Sequence, residues 1–350
     1  MYFASDNTGP VHPKVMAALA AANEGYAAPY GADPIMAEVR ARIRDLFEAP
    51  EAAVYLVATG TAANVLALAT LSNPWETIFC TRQAHIHCDE ANAPEFYTGG
   101  AKLTLVDAPD AKMTPEALRA AIEAEETRGV HGPQRGPLAL TNVTELGTVY
   151  RPDEIAALTA VARDYGLKSY LDGARFANAL VATGASPAEM TWAAGIDAVS
   201  FGGTKNGLMG VEALVMFDAA KAWEFELRRK RGAHLFSKHR YLSAQMLAYL
   251  EGDLWREMAW AANTANAQLA TGLDQTGQAQ FLHLPEANMS FVALPRSAHK
   301  RLHEAGAQYH IVEGHLAGDD PDEMLAARLV CDWSARDENT DRFLELLRGA

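Results

Sequence analysis

Short apolar runs punctuate the first two-thirds of the chain. Between about residue 50 and residue 220 they alternate with longer stretches of helical periodicity. The runs at 54–58, 77–80, 103–106, 138–141, 168–171, 198–201 and 213–217 are strand-length. Several are apolar throughout, the pattern of strands covered on both faces. The intervening helices carry clear start signals. Asp33-Pro34 leads into a helix over 35–47, Thr114-Pro115-Glu116 opens another, and Arg151-Pro152-Asp153-Glu154 opens a third that stops near Gly166. Strand–helix alternation predicts an α/β layered fold: a mostly parallel central sheet with helices on both faces. In such folds ligands bind beyond the carboxyl ends of the strands. From about residue 221 the pattern changes to a charged helix over 221–231, a buried one over 241–250 and a further one after Trp255. Strands over 289–294 and 328–333 and a closing helix near 337–348 follow. This reads as a smaller C-terminal α+β domain. The expected division is a large domain over 1–250, with a segment 1–12 that reaches toward the site, and a small domain over 251–350.

Composition narrows the function classes. Of 350 residues, 44 are acidic and 30 basic, a formal net charge of −14. That disfavours a nucleic-acid groove, which needs a basic face, but not a small anionic substrate held by a few local arginines. No uninterrupted apolar stretch approaches the roughly 18–20 residues of a membrane helix. Residues 1–10 hold Asp6 and Asn7 and no apolar core, unlike a signal peptide. Cys80, Cys88 and Cys331 form no CxxC and read as reduced thiols of a cytoplasmic protein.

Five places along the chain can carry chemistry. Lys205 follows the apolar run 198–201 and stands among Gly202, Gly203 and Gly207, which allow sharp turns and close backbone approach. A lysine desolvated at a strand end becomes a nucleophilic amine; a surface-loop lysine is the competing reading, and the GxxxxGK[ST] phosphate loop is absent. In Tyr170-Leu171-Asp172-Gly173-Ala174-Arg175 a strand ends in an acid. Asp172 can pair with a protonated pyridine nitrogen and Arg175 with a ring oxygen or a carboxylate; a structural Asp–Arg pair at a helix start is the alternative. Thr59-Gly60-Thr61 opens a small-residue helix whose free N–H groups suit a phosphate, although many such turns bind nothing. His85, in Ala84-His85-Ile86-His87-Cys88-Asp89-Glu90, can stack on a ring or act as a base; zinc held by His85, His87 and Cys88 is a weaker rival. Arg328 opens the predicted C-terminal strand and suits either bidentate capture of a carboxylate or an edge-strand salt bridge.

In order, these motifs resemble the threonine aldolases, in particular the low-specificity L-threonine aldolase branch of the pyridoxal-phosphate-dependent aspartate-aminotransferase fold. The likeness spans nearly the whole chain. It runs through Ala4-Ser5-Asp6-Asn7, Tyr30-Gly31-Ala32-Asp33, Gly60-Thr61-Ala62-Ala63-Asn64, Ala84-His85, Asp89-Glu90 with Ala93-Pro94-Glu95-Phe96, Thr144 to Glu154, Asp172-Gly173-Ala174-Arg175-Phe176 and Phe201 to Gly207. The resemblance implies pyridoxal phosphate as cofactor, with Lys205 carrying it, Asp172 beneath the pyridine nitrogen, Gly60 and Thr61 around the phosphate and His85 stacked on the ring. It makes Ser5, Arg175 and Arg328 carboxylate anchors and His131, in the Gly- and Pro-rich stretch 129–136, a second histidine near the substrate hydroxyl. Lys238 would reach a phosphate, and Tyr30 line the site, from a neighbouring subunit. The implied activity is retro-aldol cleavage of L-threonine, L-allo-threonine and related β-hydroxy-α-amino acids such as phenylserine to glycine and an aldehyde, by a homo-oligomer, a tetramer rather than a dimer. Another lyase or serine hydroxymethyl-transfer reaction on the same scaffold, or a non-catalytic cofactor-binding protein, are the alternatives. Many relatives carry Glu-Asn-Thr-His where this chain has Glu145-Leu146-Gly147-Thr148, so no role of that asparagine or histidine carries over.

Overall fold

The computed structural model describes residues 1–349 and contains two sheets. The larger has seven strands: β1 (Ala53–Val57), β2 (Glu76–Thr81), β3 (Lys102–Val106), β4 (Gln134–Thr141), β5 (Ser169–Asp172), β6 (Ala198–Gly202) and β7 (Glu212–Met216). Their order is β1-β7-β6-β5-β4-β2-β3. All neighbours are parallel except β7, which runs antiparallel to both β1 and β6. The four β-strands β1, β5, β6 and β7 are buried along their whole length, which explains their unbroken apolar runs. The expected α/β architecture with a mostly parallel sheet is what the chain adopts.

Helices cover both faces, and their starts follow local chemistry. Asp33 caps Pro34–Leu46 by accepting from the Met36 N–H at 2.9 Å. Thr114 does the same for Pro115–Ala124, and Glu154 reaches back 2.7 Å to the Arg151 N–H at the head of Pro152–Asp164. The helix Gly60–Leu71 is apolar on nearly every side, and its residues 62–70 are all buried, as a helix threaded between sheet and outer helices must be.

The second sheet consists of β8 (Gln280–Phe281), β9 (Met289–Pro295), β10 (His310–Glu313) and β11 (Met324–Val330), antiparallel in the order β10-β11-β9-β8. The helix Leu254–Thr276, 23 residues long, packs on Phe176–Thr183 from the large sheet and on the closing helix Asp337–Arg348. The last strand ends earlier than its apolar pattern predicts: it is Met324–Val330, so Arg328 lies near its end and not at its start. After Cys331 the chain turns, because the Asp332 carboxylate takes the Ser334 N–H and hydroxyl. The helix Arg296–Glu304 and strand β10 escape the sequence pattern. The first is rich in charge and buries only a narrow stripe including Ala298 and Leu302, and the second is mostly exposed.

The N-terminal segment links the two sheets. Phe3 exchanges backbone hydrogen bonds with Gln308 and Val330, the His12 N–H donates to Gly207 O, and the Trp333 indole donates to Pro10 O at 2.9 Å. It therefore runs from the small sheet to the loop that carries Lys205. Among the described residues no helix is long and apolar enough to cross a membrane.

Candidate active site

A pocket opens at the carboxyl ends of β4, β5 and β6. It is lined by Asn7, Ala58, Thr59, Gly60, Thr61, Asn64, His85, Thr141, Val143, Glu145, Asp172, Ala174, Arg175, Thr204, Lys205 and Glu212. Six residues singled out from the sequence for this role (Gly60, Thr61, His85, Asp172, Arg175 and Lys205) meet here.

Lys205 sits in the single turn Thr204–Asn206 just past β6. The turn is pinned from below: Glu212 accepts the Gly203 N–H at 2.8 Å, and the Asn206 amide donates to the Tyr249 hydroxyl at 2.7 Å and to Trp255 O at 2.8 Å. Gly202 and Gly173 are required because a Cβ at either would collide with the backbone of Ala174 or Ser200. Their absence of side chains lets the ends of β5 and β6 close up, bringing Asp172 and Lys205 to one pocket. The positive charge of Arg175, with burial, holds the Lys205 amine below the usual lysine range, against the pull of Asp6, Asp172 and Glu212.

Asp172 ends β5 and is buried. Its Oδ1 accepts from the Ala174 N–H at 3.0 Å and its Oδ2 from the Asn64 amide at 2.9 Å. On the other side, Thr59 caps the helix Gly60–Leu71 by accepting from the Ala62 N–H. The N–H groups of Gly60 and Thr61, the first two of the helix, have no intrahelical acceptor and face the pocket end of the helix dipole. Apart from its chain neighbours and its own helix backbone, no atom of the described residues lies within 4 Å of where a Cβ on Gly60 would stand, so space for an anion is open there.

His85 heads the short helix His85–Cys88. Its backbone N–H donates to Glu145 at 2.8 Å, and its Nδ1 meets Glu90 Oε1 at 2.8 Å. That hydrogen bond, reinforced by the charges of Asp172 and Glu90, lifts the imidazole above the ordinary histidine range despite burial. Cys88 is turned away onto Arg82 O, and among the described residues no group of three His, Cys, Asp or Glu side chains is arranged to hold a metal ion.

Arg175 does not stand free. Asp6 grips it bidentately, Nε to Oδ2 at 2.6 Å and Nη2 to Oδ1 at 2.9 Å, and Asn288 donates to Asp6 as well. Burial works to raise the Asp6 carboxyl, but Arg175, with Lys205 and Asn288, outweighs it and the net shift is downward. Arg328 donates to Ala4 O at 3.0 Å, and its Nε is buried with no acceptor among the described residues. Ser5 caps the turn Asp6–Thr8 through its hydroxyl. Of the three carboxylate anchors expected from the sequence, Arg175 lines the pocket, whereas Ser5 and Arg328 are not in its lining; all three are tied to the N-terminal strap.

Three predicted site residues lie elsewhere. His131 closes the exposed turn Gly129–His131 ahead of β4, whereas the pocket lies beyond the other end of that strand. Eight residues of strand span roughly 26 Å, so for its own chain's pocket His131 is not a site residue. Tyr30 is exposed, with the Lys230 ammonium 5.1 Å from its ring centroid, and Lys238 is also exposed. Conversely, Asn7, Asn64, Glu90, Glu145 and Glu212 belong to the site or support it and were not singled out. Asn7, Asn64, Glu90 and Glu145 lie within the motifs that carry the resemblance but were given no role, and Glu212 lies outside them.

Comparison with known proteins agrees with this geometry. The family model described as beta-eliminating lyase matches residues 2–296. The low specificity L-threonine aldolase of Pseudomonas aeruginosa is 37% identical over 346 residues, covering 99% of this chain and 96% of that protein. The protein of the same name from a Pseudomonas strain is 36% identical over 335 residues, covering 96% and 93%. Among solved structures, the Leishmania major threonine aldolase superposes with a TM-score of 0.92 at 27% identity, covering 99% and 98%. A serine palmitoyltransferase from S. paucimobilis, at 16% identity and a TM-score of 0.70, shares the fold.

Proposed function

The chain belongs to the beta-eliminating lyase family, and from that premise we propose that it is a pyridoxal-phosphate-dependent carbon–carbon lyase that cleaves L-threonine to glycine and acetaldehyde. The observation that carries this reading is the convergence of Lys205, Asp172, Gly60, Thr61 and His85 on one pocket. The pocket fits the cofactor chemically. It has an amine made nucleophilic by Arg175, an acceptor at Asp172, and unpaired N–H groups at a helix start with open space beside Gly60. When bound, pyridoxal phosphate supplies an aldehyde for amines and a protonated ring that takes up the electron pair released at Cα.

The chain's own residues do the rest. Lys205 would hold the cofactor and yield it to the substrate amine. Arg175, steadied by Asp6, and Arg328, with its unpaired Nε, would take the substrate carboxylate together with Ser5. Fixing the carboxylate fixes which bond at Cα faces the ring, a positioning effect worth several kcal/mol, roughly, in well-aligned systems. His85 has one nitrogen committed to Glu90, which leaves Nε2 to take the β-hydroxyl proton. L-allo-threonine and phenylserine, which differ only beyond Cβ, are proposed as further substrates.

The working form proposed is a homotetramer in the cytoplasm. Exposed Trp75, Phe96 and Trp223 supply large apolar side chains for subunit contacts. The cysteines are free, as in a reducing compartment. Tyr30, Lys238 and His131 would serve a neighbour's pocket. Residues 1–250 would form the cofactor-binding unit and 251–350 the smaller one, with segment 1–12 strapped across both. Incubation of the loaded protein with L-threonine tests the reaction: glycine and acetaldehyde in equal amounts are expected. Formation of 2-oxobutanoate and ammonia in their place would assign elimination, and no product at all would leave a cofactor-binding protein without this activity.

A further inference from the structure

Asn64 lies within the first turns of the helix Gly60–Leu71 and is buried. Its amide nitrogen donates to two different carboxylates, Glu90 Oε1 at 2.8 Å and Asp172 Oδ2 at 2.9 Å. Its Oδ1 accepts from the Tyr170 hydroxyl at 2.7 Å. A primary amide has two N–H donors and a carbonyl acceptor, so each of its faces is used, and the partners fix which way the amide points. Glu90 Oε1 also meets His85 Nδ1 at 2.8 Å. The hydrogen bonds therefore run without a break from His85 through Glu90 and Asn64 to Asp172.

Glu90 and Asp172 hang on the same nitrogen, so their oxygens stand no more than two hydrogen-bond lengths apart. Both residues are buried. Two carboxylates at such a separation in a low dielectric repel strongly, so their placement depends on the donor held between them. Other groups facing the pair do not separate them. His85 bonds Glu90 and also feels the charge of Asp172, Lys205 and Glu212 reach the Asp172 side, Glu145 stands beside His85, and Tyr170 donates only to Asn64. The amide of Asn64 is the donor between the two acids.

We propose that Asn64 is a positioning residue that holds Glu90 and Asp172 side by side in fixed directions, Glu90 against His85 Nδ1 and Asp172 at the ring-binding end of the pocket. Removing its two donors leaves the two acids to repel each other without a group to hold them in place. The hydrogen bond from Glu90 to His85 then weakens, and the acid at the end of β5 becomes a poorer partner for a protonated ring. The catalytic part of this inference rests on the cofactor reading above. The electrostatic part does not, because it concerns only groups of this chain.

The test uses the full-length protein, with and without pyridoxal phosphate, labelled at histidine Cε1 and titrated by NMR. The His85 signal is identified by its loss in His85→Gln. In the parent, His85 is expected to titrate above the ordinary histidine range, as its bond to Glu90 dictates. In Asn64→Leu its midpoint should fall by about one pH unit, and by less in Asn64→Ser, which keeps one donor. In the loaded enzyme, Asn64→Leu should lower kcat for L-threonine by about tenfold or more, with KM changed by less than about threefold. An unchanged His85 midpoint in a variant that melts like the parent overturns the proposal, and so does a fall in kcat matched by an equal rise in KM. Should the leucine variant fail to fold, the serine variant decides on the same readings. A parent that titrates as expected but does not cleave L-threonine refutes the function and leaves this inference standing.

Discussion

Glu212 shows at the residue scale how the pocket stores electrostatic strain. Burial lifts its carboxyl from the ordinary 4.5 to about 7, even though Thr204, the Gly203 N–H and Lys205 all pull it down. The folded protein therefore holds a proton that the unfolded chain has already released between pH about 4.5 and 7. Stability attached to this group is present below that window and lost as pH rises through it. Glu212→Gln keeps an acceptor for Gly203 and removes the buried charge. Its cofactor-free form should melt higher than the parent at pH 8, by on the order of 1–3 kcal/mol, and the gap should close near pH 5. Melting curves at the two pH values measure this, and a parent that is equally or more stable at pH 8 contradicts it. Single residues were legible from the chain where local punctuation exposed them. Lys205 among glycines, Asp172 at a strand end and Gly60 at a helix start each stand at a carboxyl end of the sheet. Asn64, Glu90 and Glu212 were not, because their meaning lies in contacts between residues as far apart as 108 positions.

At the scale of elements, the N-terminal strap is the least conventional part of the site. It has almost no regular structure beyond the turn Asp6–Thr8, yet it delivers Asp6, which fixes Arg175 through two hydrogen bonds, and it passes backbone bonds to β11 and to the Lys205 loop. Charge-assisted bonds of this kind are worth roughly 1.5–3 kcal/mol each when buried. Asp6→Ala should therefore raise KM for L-threonine about tenfold or more while lowering kcat less, because Arg175 loses its orientation but not its charge. Steady-state kinetics decide this; an unchanged KM would remove Arg175 from the carboxylate site. The strands of the large sheet were readable to within a residue or so at most ends because each is a short buried run between turns. β10 and the helix Arg296–Glu304 were not, since an exposed strand and a narrowly buried helix leave little apolar periodicity to read.

At the scale of the whole molecule, the pocket of one chain is walled by β4 to β7, the helix Gly60–Leu71 and the strap, while Tyr30, Lys238 and His131 face outward. If those three serve a neighbouring subunit, two inactive variants should repair each other. Lys205→Ala and the double variant Tyr30→Ala, Lys238→Ala, unfolded together and refolded as mixed oligomers, should recover cleavage of L-threonine that neither shows alone. Refolded mixtures no better than the parents would confine each site to one chain. The layered architecture was legible from strand–helix alternation. The sharing of sites was suggested only by resemblance, because outward-facing residues carry no periodic signal. The central claim is that Lys205 is the residue that holds pyridoxal phosphate. Reduction of the loaded protein with borohydride, followed by peptide mass mapping, tests it most directly. The account predicts a stable phosphopyridoxyl group on Lys205 alone, absent from Lys205→Ala; the same group on a different lysine, or none, would contradict it.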